Sequence, residues 1–190
     1  MIRLMLILGS TREGRIGYKV YDWVKGEIVK MKSFEVDCVD LRDIDLPFFN
    51  EPQSPAMVKE GRYLNPIQKK WAERVADASA YLIVTPEYNH SYPAVLKNAL
   101  DYAYSEWNKK PVAFVGYGVV GGARAVEHLR GVVSQLQMVS IQEAVYITTH
   151  PSPFNKDGKI INEYYEDKLA KTLHQILWWA RALESARREI

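Results

Sequence analysis

The sequence predicts an α/β fold, a five-stranded parallel sheet with helices packed on both faces. Three observations carry this expectation. Apolar runs of strand length alternate with helical periodicities along the 190 residues, in the order βαβαβαβαβα. The central runs are almost continuously apolar rather than alternating, as strands covered on both faces are. Several runs end in loops of small and turn-forming residues that lead straight into a helix, the junction expected between strand and helix in a parallel sheet.

Each element has its own signal. Residues 2–8, interrupted only by Arg3, form the first strand, and over residues 17–31 Val20, Trp23, Val24, Ile28 and Met31 recur at helical spacing. Residues 34–40 are short and alternating, which places them at a sheet edge. Residues 46–65 carry Pro47, Pro52, Pro55 and Gly61 among polar residues, and a loop this long is usually functional. Asn65-Pro66 opens a helix, Asn as cap and Pro at the first helical position, with Ile67, Trp71, Val75 and Ala78 on one face. Residues 80–85 are a buried strand ended by Pro86, residues 87–92 a loop, and Pro93 the start of a helix reaching about residue 104. Residues 111–115 are a further strand, followed by the loop Gly116-Tyr117-Gly118-Val119-Val120-Gly121-Gly122. A helix over residues 123–137 turns Val126, Leu129, Val133 and Leu136 inward, and residues 143–149 form the last strand, which residues 139–142 can join. Turns at His150-Pro151-Ser152-Pro153 and Asp157-Gly158 precede a final helix over residues 162–187, with Tyr165, Leu169, Leu173, Ile176, Ala180 and Leu183 on its inner side. With no repeat and no second core, residues 1–190 are expected to be one domain. Five strands with right-handed crossovers favour the flavodoxin-like three-layer sandwich of strand order 2-1-3-4-5.

Composition narrows the function classes. Apolar residues make up 47% and charged residues 25%, with a net charge of +2 and no dense Lys/Arg run, so no nucleic-acid surface is expected. The single cysteine, Cys38, excludes an internal disulfide and an all-cysteine metal or iron–sulfur site, and its apolar surroundings suggest a buried, inert thiol. No window is long and apolar enough to cross a membrane, and no secretion signal is evident, so a cytoplasmic protein with no membrane partner is expected.

In a sheet of this order, ligands bind beyond the carboxyl ends of the strands, where the strand order switches between the first and third strands. Two suggestive loops meet there. Residues 9–17 (Gly9-Ser10-Thr11-Arg12-Glu13-Gly14-Arg15-Ile16-Gly17) offer amides, hydroxyls and two arginines at a helix N-terminus, which suits a phosphate; the alternative is an ordinary βα turn with solvated arginines. Gly9 and Gly14 have P-loop spacing, but Arg15 and Ile16 stand where the Lys and the Mg-binding hydroxyl belong, so an NTPase is not expected. The dinucleotide fingerprint is absent from the first turn, and Asp40 at the end of the second strand has nothing to serve. The second loop, Pro86-Glu87-Tyr88-Asn89, is held rigid by Pro86 and Pro93 and suits a flat heterocycle with donor and acceptor edges; the alternative is a structural loop with an exposed Tyr. The glycines of the third loop, residues 116–122, let backbone pack close to a planar ligand. His90 reads as a solvated loop residue and Trp178-Trp179 as packing.

These residues carry a family resemblance over nearly the whole chain. Gly9-Ser10-Thr11-Arg12, the longer motif Pro86-Glu87-Tyr88-Asn89-x-Ser91-x-Pro93-x-x-Leu96-Lys97-Asn98-Ala99-Leu100-Asp101, the paired glycines of the third loop, and Leu46-Pro47-x-Phe49-x-Glu51 together resemble the NADPH-dependent FMN reductase family, which includes quinone, azo-dye and chromate reductases. The resemblance implies FMN as cofactor and NADPH or NADH as co-substrate. It implies that the FMN phosphate sits on Ser10, Arg12, Arg15, Ile16 and Gly17. The isoalloxazine would then lie against Pro86, Glu87, Tyr88 and Asn89, with Tyr117 and Gly118 on the other side. Gly14-Arg15-Ile16-Gly17 departs from the family's more usual Ser and small residue, so Arg15 would replace a hydroxyl contact by a charge. The resemblance further implies a homodimer or homotetramer, with residues 94–104 and 48–63 as contributors. Hydride would pass from the nicotinamide to the flavin and on to a flat small-molecule acceptor by a ping-pong route, with no side chain required as acid or base and no metal. The alternatives are a flavodoxin-type electron carrier, which the slightly basic charge disfavours, and an FMN-binding regulatory module without turnover.

Overall fold

A computed structural model describes residues 1–59 and 62–189. Gly61, counted above among the features of the long loop, lies outside the described residues. The strands β1 (Ile2–Leu8), β2 (Phe34–Asp40), β3 (Ala80–Pro86), β4 (Pro111–Gly118) and β5 (Val139–Thr148) pair in parallel in the order β2-β1-β3-β4-β5. This is the flavodoxin-like order expected from the alternation of elements.

The helices divide between the two faces as the strand side chains do. Leu4, Leu6 and Leu8 of β1 pack with Val20, Val24 and Ile28 of α1 (Gly17–Lys30) and with Leu169, Leu173 and Ile176 of the last helix (Glu163–Arg188). Met5 and Ile7, one residue out of step, face the second core. There they meet Trp71 and Val75 of the helix Pro66–Asp77, Leu96 and Leu100 of the helix Ala94–Asp101, and Val126, Leu129 and Val133 of the helix Ala123–Gln135. A short helix, Leu41–Ile44, follows β2. In chain order these helices are α2 (Leu41–Ile44), α3 (Pro66–Asp77), α4 (Ala94–Asp101), α5 (Ala123–Gln135) and α6 (Glu163–Arg188). The Asn65 cap is formed as expected, its side-chain oxygen accepting from the amides of Ile67 at 2.8 Å and Gln68 at 3.3 Å.

Several expectations are corrected. β4 runs on through Gly116, Tyr117 and Gly118, because Pro86 of β3 and Thr148 of β5 extend the pairing on either side. Those three residues are strand, not loop. α4 stops at Asp101 and yields to a 3-10 turn at Ser105–Trp107. The 3-10 turn Pro55–Met57 interrupts the loop expected over residues 46–65, and α2 precedes it where no element was expected. Cys38 is exposed rather than buried, since β2 is an edge strand flanked on one side only. Ile67 and Trp178 also face outward, at the first turn of α3 and on the outer side of α6.

The long segment before α3 is tied down by the second motif. Asn98, on α4, accepts from the Phe49 amide at 2.8 Å and donates to the Pro47 carbonyl at 2.7 Å, and the Tyr102 hydroxyl reaches the same carbonyl at 2.8 Å. Buried amide groups of an irregular segment need partners, and α4 supplies them.

Candidate active site

The carboxyl ends of β1, β3, β4 and β5 surround a cleft of about 280 Å³ whose walls include Arg12, Gly14, Arg15, Tyr88, Tyr117 and Thr149. A larger hollow, about 930 Å³, lies at the amino-terminal end of β4 beside Lys110 and Glu106, away from the loops described above.

The first wall is the loop between β1 and α1. Gly9 anchors it, its amide bonded to the Val84 carbonyl of β3 at 2.9 Å. Ser10 is fully buried and its hydroxyl lies 2.7 Å from the hydroxyl of Tyr88. Gly14 takes a left-handed φ of 64° with open space where a side chain would stand. Ile16 caps α1 through its backbone, its carbonyl accepting from the amides of Lys19 and Val20 at 3.0 and 3.4 Å, and no side chain caps the amides of Gly17 and Tyr18. Arg12 holds its guanidinium 5.4 Å over the Tyr88 ring and makes no ion pair among the described residues. Arg15 is different. Both ends of its fork bind the Asp40 carboxylate, at 2.8 Å to Oδ1 and in a shorter contact to Oδ2, and it donates to the Ser10 carbonyl.

The second wall follows β3. The amide and carbonyl of Tyr88 bond those of Ser91 at 2.8 and 3.1 Å, closing a tight turn. Asn89 and His90 stand in it with φ of 47° and 73°. Asn89 is exposed and does not line the cleft, and His90 is exposed with its ring 6.0 Å from that of His128. Glu87 turns its carboxylate away to Arg124, accepting from Nε at 2.5 Å and from the backbone amide at 3.2 Å. Burial alone would raise this carboxyl, but the side-chain and backbone bonds from Arg124 outweigh it and hold the group below its ordinary value.

The floor comes from β4. Tyr117 is 4% exposed, and its hydroxyl is buried without a hydrogen-bond partner among the described residues. It abuts Gly17 so closely that a side chain at that position would collide with it. Burial, then the neighbouring Tyr88, push the Tyr117 phenol well above its ordinary value, so it stays protonated and able to donate. Gly118 offers its carbonyl to the amides of Gly121 and Thr149 at 3.1 and 2.9 Å. Gly121 and Gly122 do not approach the cleft as the sequence suggests: they fold back on Gly116, Tyr117 and Tyr146, where added side chains would strike backbone.

Of the residues expected at a ligand, Arg12, Arg15, Ile16, Pro86, Glu87, Tyr88, Tyr117 and Gly118 line the cleft, with Ser10 and Gly17 directly behind it. Sequence reasoning missed Asp40, Arg42, Arg124 and Thr149. Asp40 gave a signal, an acidic residue at a strand end; the others become visible only once neighbouring strand ends are known.

The fold and this cleft define a flavodoxin-like α/β protein whose cleft opens at the point where strand order switches, walled by the loop after β1. The chain belongs to the NADPH-dependent FMN reductase family, whose model matches residues 2–152. It is an oxidoreductase that uses FMN as cofactor and NAD(P)H as co-substrate. The chain is 39% identical over 137 residues to an NAD(P)H-dependent FMN reductase of Schizosaccharomyces pombe, covering 72% of this chain and 68% of that one. It is 39% identical over 188 residues to a 2-hydroxy-1,4-benzoquinone reductase of a Burkholderia species, covering 95% and 97% of the two chains. The fold is similar to that of FerB, a flavoenzyme NAD(P)H:(acceptor) oxidoreductase from Paracoccus denitrificans, with a TM-score of 0.76 at 24% identity over 96% of this chain and 98% of that one. No helix among the described residues is long and apolar enough to cross a membrane.

Proposed function

We propose that residues 1–190 act as a single FMN-binding domain that reduces quinone-like acceptors. The observation that carries this reading is the buried hydroxyl of Tyr117, without a hydrogen-bond partner among the described residues, in one cleft with Arg12, which makes no ion pair among them, and the start of α1, which has no side-chain cap. A buried donor without an acceptor is costly, and a phosphate oxygen at this point would relieve it. The loop therefore fits the terminal phosphate of FMN, with Ser10, Arg12, Ile16 and Gly17 around it and Arg15 in the wall. The isoalloxazine would lie along the backbone of Pro86, Glu87 and Tyr88, with Tyr117 and Gly118 beneath and Asn89 at the rim.

The chemistry FMN supplies when bound is two-electron transfer from NAD(P)H to a flat acceptor, the two taking turns at one face in ping-pong order. The protein's share is placement. Glu87, pinned to Arg124, fixes the backbone that would frame the ring, and the Tyr88 turn closes one side. No side chain is assigned as acid or base. A quinone is favoured as acceptor by the Burkholderia relative, which is named a benzoquinone reductase and aligns over nearly the full length of both chains. A cytoplasmic homodimer or homotetramer completes the reading, supported by the exposed Phe48, Met57 and Leu64 around the 46–65 segment.

Steady-state kinetics with NADPH or NADH and a benzoquinone test the turnover. Parallel initial-rate lines are expected, and intersecting lines would overturn the ping-pong order. Arg12→Ala should weaken FMN binding by about 2–3 kcal/mol if it makes a buried, charge-assisted phosphate contact. An unchanged affinity, read by quenching of flavin fluorescence, would remove Arg12 from the site.

A further inference from the structure

The phosphate loop is gripped from its outer side by the end of β2. Arg42, on α2, donates to the Thr11 carbonyl from Nε at 3.2 Å and from Nη2 at 2.9 Å, and from Nη2 to the Arg12 carbonyl at 2.6 Å. Arg15 donates to the Ser10 carbonyl while its fork is held by Asp40. Asp40 also accepts from the Arg42 amide at 3.0 Å, so one carboxylate fixes the Arg15 guanidinium and the backbone from which Arg42 reaches out.

Consecutive carbonyls, those of Ser10, Thr11 and Arg12, are thus drawn toward two guanidinium groups. In a trans peptide the carbonyl and the following N–H point in opposite directions. The amides of Thr11, Arg12 and Glu13 are therefore turned the other way. Carbonyl oxygens repel an anion and amides attract it, so the direction of these peptides decides whether the loop can hold a phosphate at all. Charge points the same way. The Arg15 and Asp40 side chains are 8% and 16% exposed and cancel one another, whereas Arg12 makes no ion pair among the described residues.

We propose that Asp40, Arg15 and Arg42 form a clamp that presets the amides of the loop for the flavin phosphate, with Arg12 as the cation that meets it. The clamp rests on the FMN reading above. It makes Arg15 and Arg42 positioning residues rather than phosphate ligands, and gives Asp40, a carboxylate beside an anion site, a reason to be there. Its contribution falls on the phosphate: although Arg15 lines the cleft, the backbone that Arg15 and Arg42 hold is that of Ser10, Thr11 and Arg12, not the Pro86–Tyr88 wall along which the ring would lie.

Riboflavin, which lacks the phosphate, separates this role from a general structural one. Dissociation constants for FMN and for riboflavin would be measured by flavin fluorescence on flavin-stripped protein, for wild type, Arg42→Ala and Asp40→Asn. Both variants should lose about tenfold in FMN affinity, the scale of a lost hydrogen bond to a charged group, and keep the wild-type affinity for riboflavin. Parallel loss of both flavins would make the cluster merely structural and overturn the clamp. Full retention of the preference for FMN in the variants would overturn it too, while leaving the FMN reading intact. A wild-type protein that does not prefer FMN to riboflavin would overturn the phosphate loop itself, and the clamp with it.

Discussion

At the scale of single residues, Tyr117 shows how a site can be recognised by what it leaves unsatisfied. Its ring belongs to the first core, yet its hydroxyl ends against Gly17 at the start of α1 with no hydrogen-bond partner among the described residues, the nearby Ser10 hydroxyl lying 2.7 Å from that of Tyr88. Removing an unpaired buried hydroxyl should help the protein when no ligand is bound and harm it when one is. Tyr117→Phe is expected to stabilise the flavin-free protein by about 1 kcal/mol and to weaken FMN binding by a similar amount, with riboflavin binding unchanged. Chemical denaturation with and without FMN reads both signs. Destabilisation of the flavin-free variant would mean that the hydroxyl already has a partner.

At the scale of elements, the start of α5 depends on a residue far away in sequence. Its own cap position is Gly122, in a left-handed conformation with φ of 74° and no side chain to offer. Glu87, from the loop after β3, supplies the missing acceptor to the Arg124 amide and pairs with its guanidinium. An acidic group at a helix N-terminus is favoured by both the free amides and the helix dipole. The Glu87 carboxyl is held below its ordinary value, so its contribution is present above the unfolded carboxyl value and is lost as pH falls through the lower, folded one. Glu87→Gln should cost about 1 kcal/mol at neutral pH, the order of a helix cap. The deficit should shrink as pH drops below about 4. Urea midpoints of the two proteins against pH test this, and a deficit that persists undiminished in acid would show that the charge is irrelevant. Along α4 the same principle explains part of the long motif: Asn98 serves the 46–65 segment, not the cleft.

At the scale of the whole molecule, buried phenols join the sheet to both helical layers. Tyr21, on α1, and Tyr117, on β4, lie in the core shared with α6, and Tyr63 and Tyr81 in the opposite core. Burial is the main reason each phenol is pushed above its ordinary value of 10.0, with Cys38 adding to it at Tyr21 and Glu106 at Tyr63. A raised folded value means that stability is intact below the unfolded value and declines as pH rises past it, because only the unfolded chain ionises freely. The denaturation midpoint should therefore fall above about pH 10. Part of the tyrosinate absorbance should appear together with the loss of helical circular dichroism. Complete ionisation of the tyrosines in a protein that keeps its helical signal would contradict this.

The sequence by itself determined the order of the strands and of the long helices between them, and most of the faces they bury, because spacing along a strand or helix is a local property. The boundaries of β2 and the Asn65 cap were legible to the residue for that reason. The loop of Gly9-Ser10-Thr11-Arg12 and the motif from Pro86 to Asp101 were legible as family, and parts of both line one cleft. Only the tertiary structure decided what those residues bind within the chain. Asp40 and Arg15 are 25 positions apart, and Glu87 and Arg124 are 37 apart. Their pairing follows from which strand ends become neighbours in the sheet. The same holds for β4, which continues through Gly116–Gly118 because strands on both sides have backbone groups to satisfy, and for Cys38, exposed because the edge strand has a neighbour on one side only. Residue type and spacing tell which groups are offered; the order of strands in the sheet decides which of them meet, and so which arginine of the loop is paired with Asp40.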